Sequence, residues 1–361
     1  MFPSPQPPEQ PLYFVNAWLD AAVIGGLSLG AFIVLRWLPN VDSAATAQAV
    51  SILSIVINYP HFSATVYRLY QTPENLRQFP VTAFGLPILL LGAVIAALWQ
   101  PEVVAPYLII LFMLWSPYHY SGQTIGITMI YARRCGFQFG RWERMALSTF
   151  VFSTFVVTFA HVIPTPPTGP TPRYGFILPA IPFPDWFETA VVVVMYTAAA
   201  AFLWLVVDWC RRSRRLIPPV VLLPAAAQFI WFVPGAHTAT FYAFVPTFHC
   251  LQYLYVAWAM QMGLRLGRDD REKSWRSIGK ETLRWSLRNC VGGAALFIAL
   301  PWLFSWIALP AAAVTGIVLA GVNIHHFFVD GVIWKLRNVG AQSPLMMRIT
   351  DLAVAPLPVR A

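Results

Sequence analysis

Five histidines of this 361-residue chain, His61, His119, His249, His325 and His326, fall inside long apolar runs. Ionisable groups at membrane depth are costly, and by default they mark function. The densest stretch is Asn-Ile-His-His-Phe-Phe-Val-Asp-Gly-Val-Ile-Trp-Lys at 323–335. On a helix His326 and Asp330 share a face, with Asn323 one turn earlier and His325 about 100° away. Four or five imidazoles with one carboxylate suit iron, copper or zinc. Magnesium and calcium are excluded because they take mainly oxygen ligands.

Three of these histidines share a local build: Asn58-Tyr59-Pro60-His61-Phe62, Pro117-Tyr118-His119-Tyr120-Ser121-Gly122-Gln123 and Pro246-Thr247-Phe248-His249-Cys250-Leu251-Gln252-Tyr253. A proline one to three residues before each histidine removes a backbone N–H, bends the helix and frees a carbonyl that must find a partner inside the bundle. An amide lies three or four residues from each histidine: Asn58, Gln123 and Gln252. That spacing puts amide and imidazole on one helix face. An imidazole bound to metal through one nitrogen needs an acceptor for the other N–H. The amides, or tyrosines such as Tyr118 and Tyr253, are placed to supply it. The expected ligand pool is thus His61, His119, His249, His325 and His326, with Asp330, Tyr118 and Gln123 as the candidate catalytic side chains. Without a metal, each histidine would simply hydrogen-bond inside the bundle.

The elements that must position these groups are membrane helices. Only 11% of residues are charged and 58% are hydrophobic, against about 25% charged in a soluble globular protein. Ten runs are long enough to span a bilayer, at roughly 13–37, 44–70, 81–99, 104–131, 145–163, 187–209, 218–235, 241–264, 288–308 and 311–335. The expected fold is an all-α polytopic bundle, one transmembrane domain over 1–361, with several helices kinked among its 31 prolines. A Pro-rich tail at 1–12, a basic segment at 265–287 and a tail at 336–361 lie outside the spans. The basic segment reads equally as an amphipathic surface helix or a charged loop. Lys and Arg concentrate after alternate spans, so the positive-inside rule puts both termini and the basic loops in the cytoplasm, as in a bacterial inner-membrane protein. Spans 2, 4, 8 and 10 then run in one direction and bring their histidines to similar depth. His161 and His237 fall at outer ends, where a wet histidine needs no explanation. The loop 164–184 is Pro-rich and lies at the outer face.

The net charge of +9 serves topology rather than nucleic-acid binding. Cys135, Cys210, Cys250 and Cys290 form no CxxC pair, which leaves no disulfide framework or thiolate zinc site. Asp20 is a lone acid suited to a polar contact, Gly25, Gly26 and Gly30 to close helix packing. No GxSxG elbow is present. Aromatics near the histidines, among them Tyr59, Phe62, Tyr120, Phe248 and Phe327, suit either core or the lining of a tunnel for a long apolar substrate.

In Pro60-His61, His119, His249 and the His326-to-Asp330 segment the chain resembles the bacterial beta-carotene dioxygenases of the Brp/Blh type. The family's glycine-flanked PHGxxD motif is not repeated, since Phe62 follows His61. The resemblance implies histidine-bound non-haem iron between helices. The function expected of the histidine cluster is a membrane metal-dependent oxidoreductase, an oxygenase or hydroxylase that uses O₂ on an isoprenoid or acyl lipid drawn from the bilayer, with a redox partner at the basic face where electrons are required. Three other readings stand beside it: a proton-coupled transporter using a His/Asp relay, a bis-histidine haem protein, and a scaffold whose histidines are satisfied in the core.

Overall fold

The computed structural model describes residues 12–37, 42–162, 172–179, 181–267, 273–334 and 344–353. Most of the N-terminal tail, residues 164–171 and 180 of the 164–184 loop, and much of the C-terminal tail lie outside these residues. The described residues are helical, with no strand beyond one isolated bridge between Arg173 and Phe176. The ten expected spans are ten helices: α1 Ala17–Trp37, α2 Ser43–Tyr70, α3 Val81–Trp99, α4 Pro101–Arg134, α5 Arg141–Val162, α6 Asp185–Ser213, α7 Pro219–His237, α8 Val245–Leu266, α9 Trp275–Leu303 and α10 Ala311–Ile333. Eight of them are long and apolar enough to cross a membrane; α5 and α8 are not among the eight. The first turn of α5 holds Arg141, Glu143 and Arg144, and α8 carries His249, Gln252, Gln261 and Arg265. The result is an all-α membrane bundle. Trp18, Trp37, Trp99 and Trp302 are exposed near helix ends, where amphipathic rings sit at a bilayer interface.

The segment 275–287 is helical and runs without a break into the span that follows, so α9 begins well before the expected 288.

The helix that carries His325, His326 and Asp330 is, with α8, among the most buried in the bundle. Of its most apolar 18 residues 67% are buried, against 11–50% in the other seven. It packs on α2, α3 and α4, so it touches two of the other histidine-bearing helices directly. Between membrane helices there is little hydrophobic driving force, and close packing of small residues substitutes for it. A Cβ on Gly293 of α9 would come within 2.5 Å of the Tyr59 carbonyl carbon and 2.8 Å of Pro60 N. The α9 backbone therefore lies against the residues that introduce His61. Gly25 packs on the Leu223 backbone, whereas Gly30 has open space around it.

Prolines shape the helices through wide turns. Ser54–Asn58, Val81–Gly85 and Ala295–Ala299 are π-helical, and each is followed by a proline two residues on: Pro60, Pro87 and Pro301. In each the N–H after the wide turn bonds five residues back, as Tyr59 N does to Ser54 O. The extra residue lets the ring of a donor-less proline clear the preceding turn.

A second polar centre ties the chain's ends to the bundle. Asp20 is fully buried. Its carboxylate accepts from Phe14 N (2.8 Å), Val15 N (3.1 Å), Tyr131 Oη (2.7 Å) and Tyr255 Oη (2.6 Å). Arg134, also buried, donates to the carbonyls of Leu12, Tyr13 and Leu345. The polar contact expected of Asp20 is therefore made four times over. Asp20→Ala would strand four donors, and a loss of about 3 kcal/mol is expected. Thermal unfolding of the variant checks this, with metal content per folded molecule unchanged.

Candidate metal centre

Four helices bring imidazoles to one place, and the three with a proline beside the histidine each solve it differently. On α2 the wide turn precedes Pro60. On α4 Pro117 lies inside an unbroken 34-residue helix. On α8 Pro246 sits in the first turn, where its missing N–H costs nothing. The shared sequence pattern is thus three backbone structures rather than one recurring kink.

One nitrogen from each of His61, His119 and His326 can be chosen so that all three lie within 4.8 Å of one another. His119 Nε2 and His326 Nε2 are 3.1 Å apart. Asp330 Oδ2 lies 3.3 Å from His326 Nε2 and 3.6 Å from His119 Nε2. Ligand nitrogens about 2.1 Å from one ion stand roughly 3.0–3.4 Å apart, so the closest pair already has coordinating separation. All four residues are buried.

His249 forms the remaining wall. Its ring centroid is 5.2 Å from that of His61 and 5.1 Å from that of His119, and it stacks on Tyr120 at 3.8 Å. It stands outside the three-histidine group. His325 is half-buried, points around α10 from His326 and does not join the cluster.

The unsatisfied atoms bear on whether a cation fits. Both nitrogens of His61, both of His249 and Nδ1 of His326 are buried without a hydrogen-bond partner among the described residues. Buried polar atoms normally find partners, and each one left alone costs about 1–3 kcal/mol. A metal held by these imidazoles would satisfy several of them at once. The donor set of nitrogen plus one carboxylate is that of iron, copper or zinc.

The amides expected to orient the imidazoles do something else. Asn58 donates to Ser54 Oγ, Gln252 to the Ile24 carbonyl, and Gln123 to the backbone carbonyl of His249 at 2.9 Å. Gln123 therefore fixes the α8 backbone across from α4 rather than an imidazole. Tyr118 is about half exposed and stacks on Phe152, away from the imidazoles. The support comes from Thr65, Tyr253 and Trp334. Their Oγ1, Oη and Nε1 donate to Asp330 Oδ1 at 3.0, 3.0 and 3.1 Å. Each stands four residues after a polar site residue: His61, His249 and Asp330. Tyr253 is already a candidate support, for an imidazole; the i, i+4 rule that picked out His326 and Asp330 reaches Thr65 and Trp334 too, once the threonine hydroxyl and the indole count beside amides and phenols.

Thr65 and Tyr253 also share a hydrogen bond with each other, and this group of two hydroxyls and an indole holds Oδ1 and leaves Oδ2 facing the imidazoles. Asp330→Asn is expected to weaken metal retention by about 10–100-fold, with Trp334→Phe intermediate. Competition against a graded series of chelators measures both.

A cavity of about 320 Å³ opens beside the cluster, with His119 and Asp330 in its wall and Gly122, Gly126, Ile127, Phe327 and Gly331 along it. A Cβ on Gly122, Gly126 or Gly331 would meet nothing within 4 Å. These glycines border empty space rather than a packed neighbour. Tyr118 and Trp115 also line the cavity, which is mostly apolar.

No family model, no curated protein and no solved structure matches the chain, so the chemistry of this centre is argued from its own geometry.

Proposed function

We propose that the chain is an integral-membrane, metal-dependent oxidoreductase, a non-haem iron oxygenase acting on a lipophilic substrate, akin in kind to the Brp/Blh-type dioxygenases. The observation that carries this reading is the convergence of His61, His119 and His326, with Asp330 Oδ2 against two of them, inside the bundle. His61, His119 and His326 hold the metal, and His249 stands close enough to complete the set when the site tightens. Iron bound there supplies the redox chemistry with O₂ that no side chain can provide.

The chain's own groups do the rest. The cavity takes an isoprenoid or acyl chain from the bilayer and lays it beside His119. The apolar walls exclude water from the reacting carbon. Asp330 is locked through Oδ1 and keeps Oδ2 to complete the ligand set or hold a proton. The basic loops favour an inner-membrane protein with cytoplasmic termini. A redox partner, where one is needed, approaches from that basic face.

A proton-coupled transporter is the second reading, favoured by the 3.1 Å contact between His119 and His326 beside Asp330. A haem is disfavoured. The imidazoles pack ring against ring, His61 on His326 at 4.4 Å and His119 on His326 at 4.8 Å, and fill the slot a macrocycle needs. Incubating iron-loaded protein in nanodiscs with isoprenoid and acyl lipids under ¹⁸O₂ tests the proposal. Labelled lipid product from wild type and none from His326→Ala is expected. Unlabelled lipids together with proton flux in liposomes would overturn it.

A further inference from the structure

A second cavity, of about 350 Å³, lies between α8 and α9, away from the histidines. Arg265, Lys280, Arg284 and Arg288 line it with Glu281 and Ser277. Among the described residues of the cleft, four cations face one carboxylate. Glu281 is buried and engaged: Oε1 accepts from Gln261 Nε2 at 3.0 Å and Oε2 pairs with Arg284 Nη1 at 3.1 Å. Arg265 and Arg288 both donate to Tyr67 Oη, at 3.2 and 3.3 Å, so one phenol holds two like charges together. Among the described residues neither has a carboxylate partner. Gathering cations this way is unfavourable unless an anion joins them.

The same helix carries a second row. Leu283, Leu287 and Val291 are 62%, 56% and 70% exposed. They repeat every fourth residue, as Lys280, Arg284 and Arg288 do, and the two rows lie about 60° apart around the helix. A charged row in a cleft beside an apolar row open to lipid matches one kind of molecule: a phosphate with hydrocarbon attached. We infer that the α8–α9 cleft binds the headgroup of an anionic phospholipid, with an acyl chain along Leu283, Leu287 and Val291. Arginine's forked donors suit a phosphodiester. Basic pockets between membrane helices take anionic headgroups by the same electrostatics. This site stands independently of the metal centre.

Native mass spectrometry of the full-length protein in detergent tests it. The probes are phosphatidylglycerol and phosphatidylcholine with identical acyl chains. Preferential retention of phosphatidylglycerol is expected. Arg284→Ala/Arg288→Ala should reduce that retention about thirtyfold, each cation near the surface contributing roughly fivefold. Leu287→Asn should reduce it with the cations intact. Both substitutions are at exposed positions, and unchanged metal content reports the fold. Equal retention of the two lipids, or indifference to the double substitution, would overturn the inference. So would full displacement of the lipid by millimolar inorganic phosphate, which would make the cleft a soluble-anion site, or indifference to Leu287→Asn.

Discussion

His326→Ala is expected to yield a folded protein that retains essentially no metal through purification, an affinity loss of at least about 100-fold. His326 is the hub of the cluster. Its Nε2 is 3.1 Å from His119 Nε2 and 3.3 Å from Asp330 Oδ2, and its ring lies 4.4 Å from that of His61. Removing it deletes one ligand and a close partner of His119, Asp330 and His61. The control is one residue away. His325 has the same chemistry on the same helix but stands outside the cluster. His325→Ala should keep its metal in full. Elemental analysis of the two variants and wild type, purified side by side, separates the readings. A scaffold with satisfied core histidines predicts no bound metal in any of the three.

Gly126→Leu should abolish turnover, by at least about 100-fold, while metal content stays at the wild-type level. A Cβ at Gly126 meets nothing within 4 Å, so a larger side chain enters the cavity instead of displacing packed structure. Overpacking therefore does not explain a loss, and obstruction does. Gly126→Ala, which adds one methyl, should fall between. Wild-type turnover in Gly126→Leu would mean that substrate does not pass through this cavity.

The fold was largely legible in the sequence. Long apolar runs broken by Arg clusters and prolines placed helices near their observed limits at all ten expected spans, eight of them long and apolar enough to cross a membrane. The exception is α9, whose first turns mix charge with Trp275 and Trp285 and so hide a helix that continues into the span. The site was legible to the extent that polarity is conspicuous in an apolar run. His61, His119, His326 and Asp330 stood out and do converge. His325 and Tyr118 stood out equally and do not, because neighbouring residues on a helix point about 100° apart and only the packing of α10 against α2 and α4 decides which faces inward. Spacing along one helix also fixes a face without revealing what stands opposite. Asn58, Gln123 and Gln252 therefore share a face with a histidine yet reach Ser54, the His249 backbone and the Ile24 backbone instead. Tyr253 stood out as a support for an imidazole and holds Asp330 instead; Thr65 and Trp334 passed unremarked because neither is unusual in a membrane span. Their role follows from Asp330 lying between α2 and α8.

The central claim is that His61, His119 and His326 hold one metal ion. X-ray absorption at the metal edge of protein purified from metal-replete culture tests it most directly. One ion per chain with three imidazole nitrogens at about 2.1 Å and a carboxylate oxygen is expected, with loss of the imidazole signal in His326→Ala. Absence of stoichiometric metal in the wild type, or a ligand shell without imidazole, would contradict it.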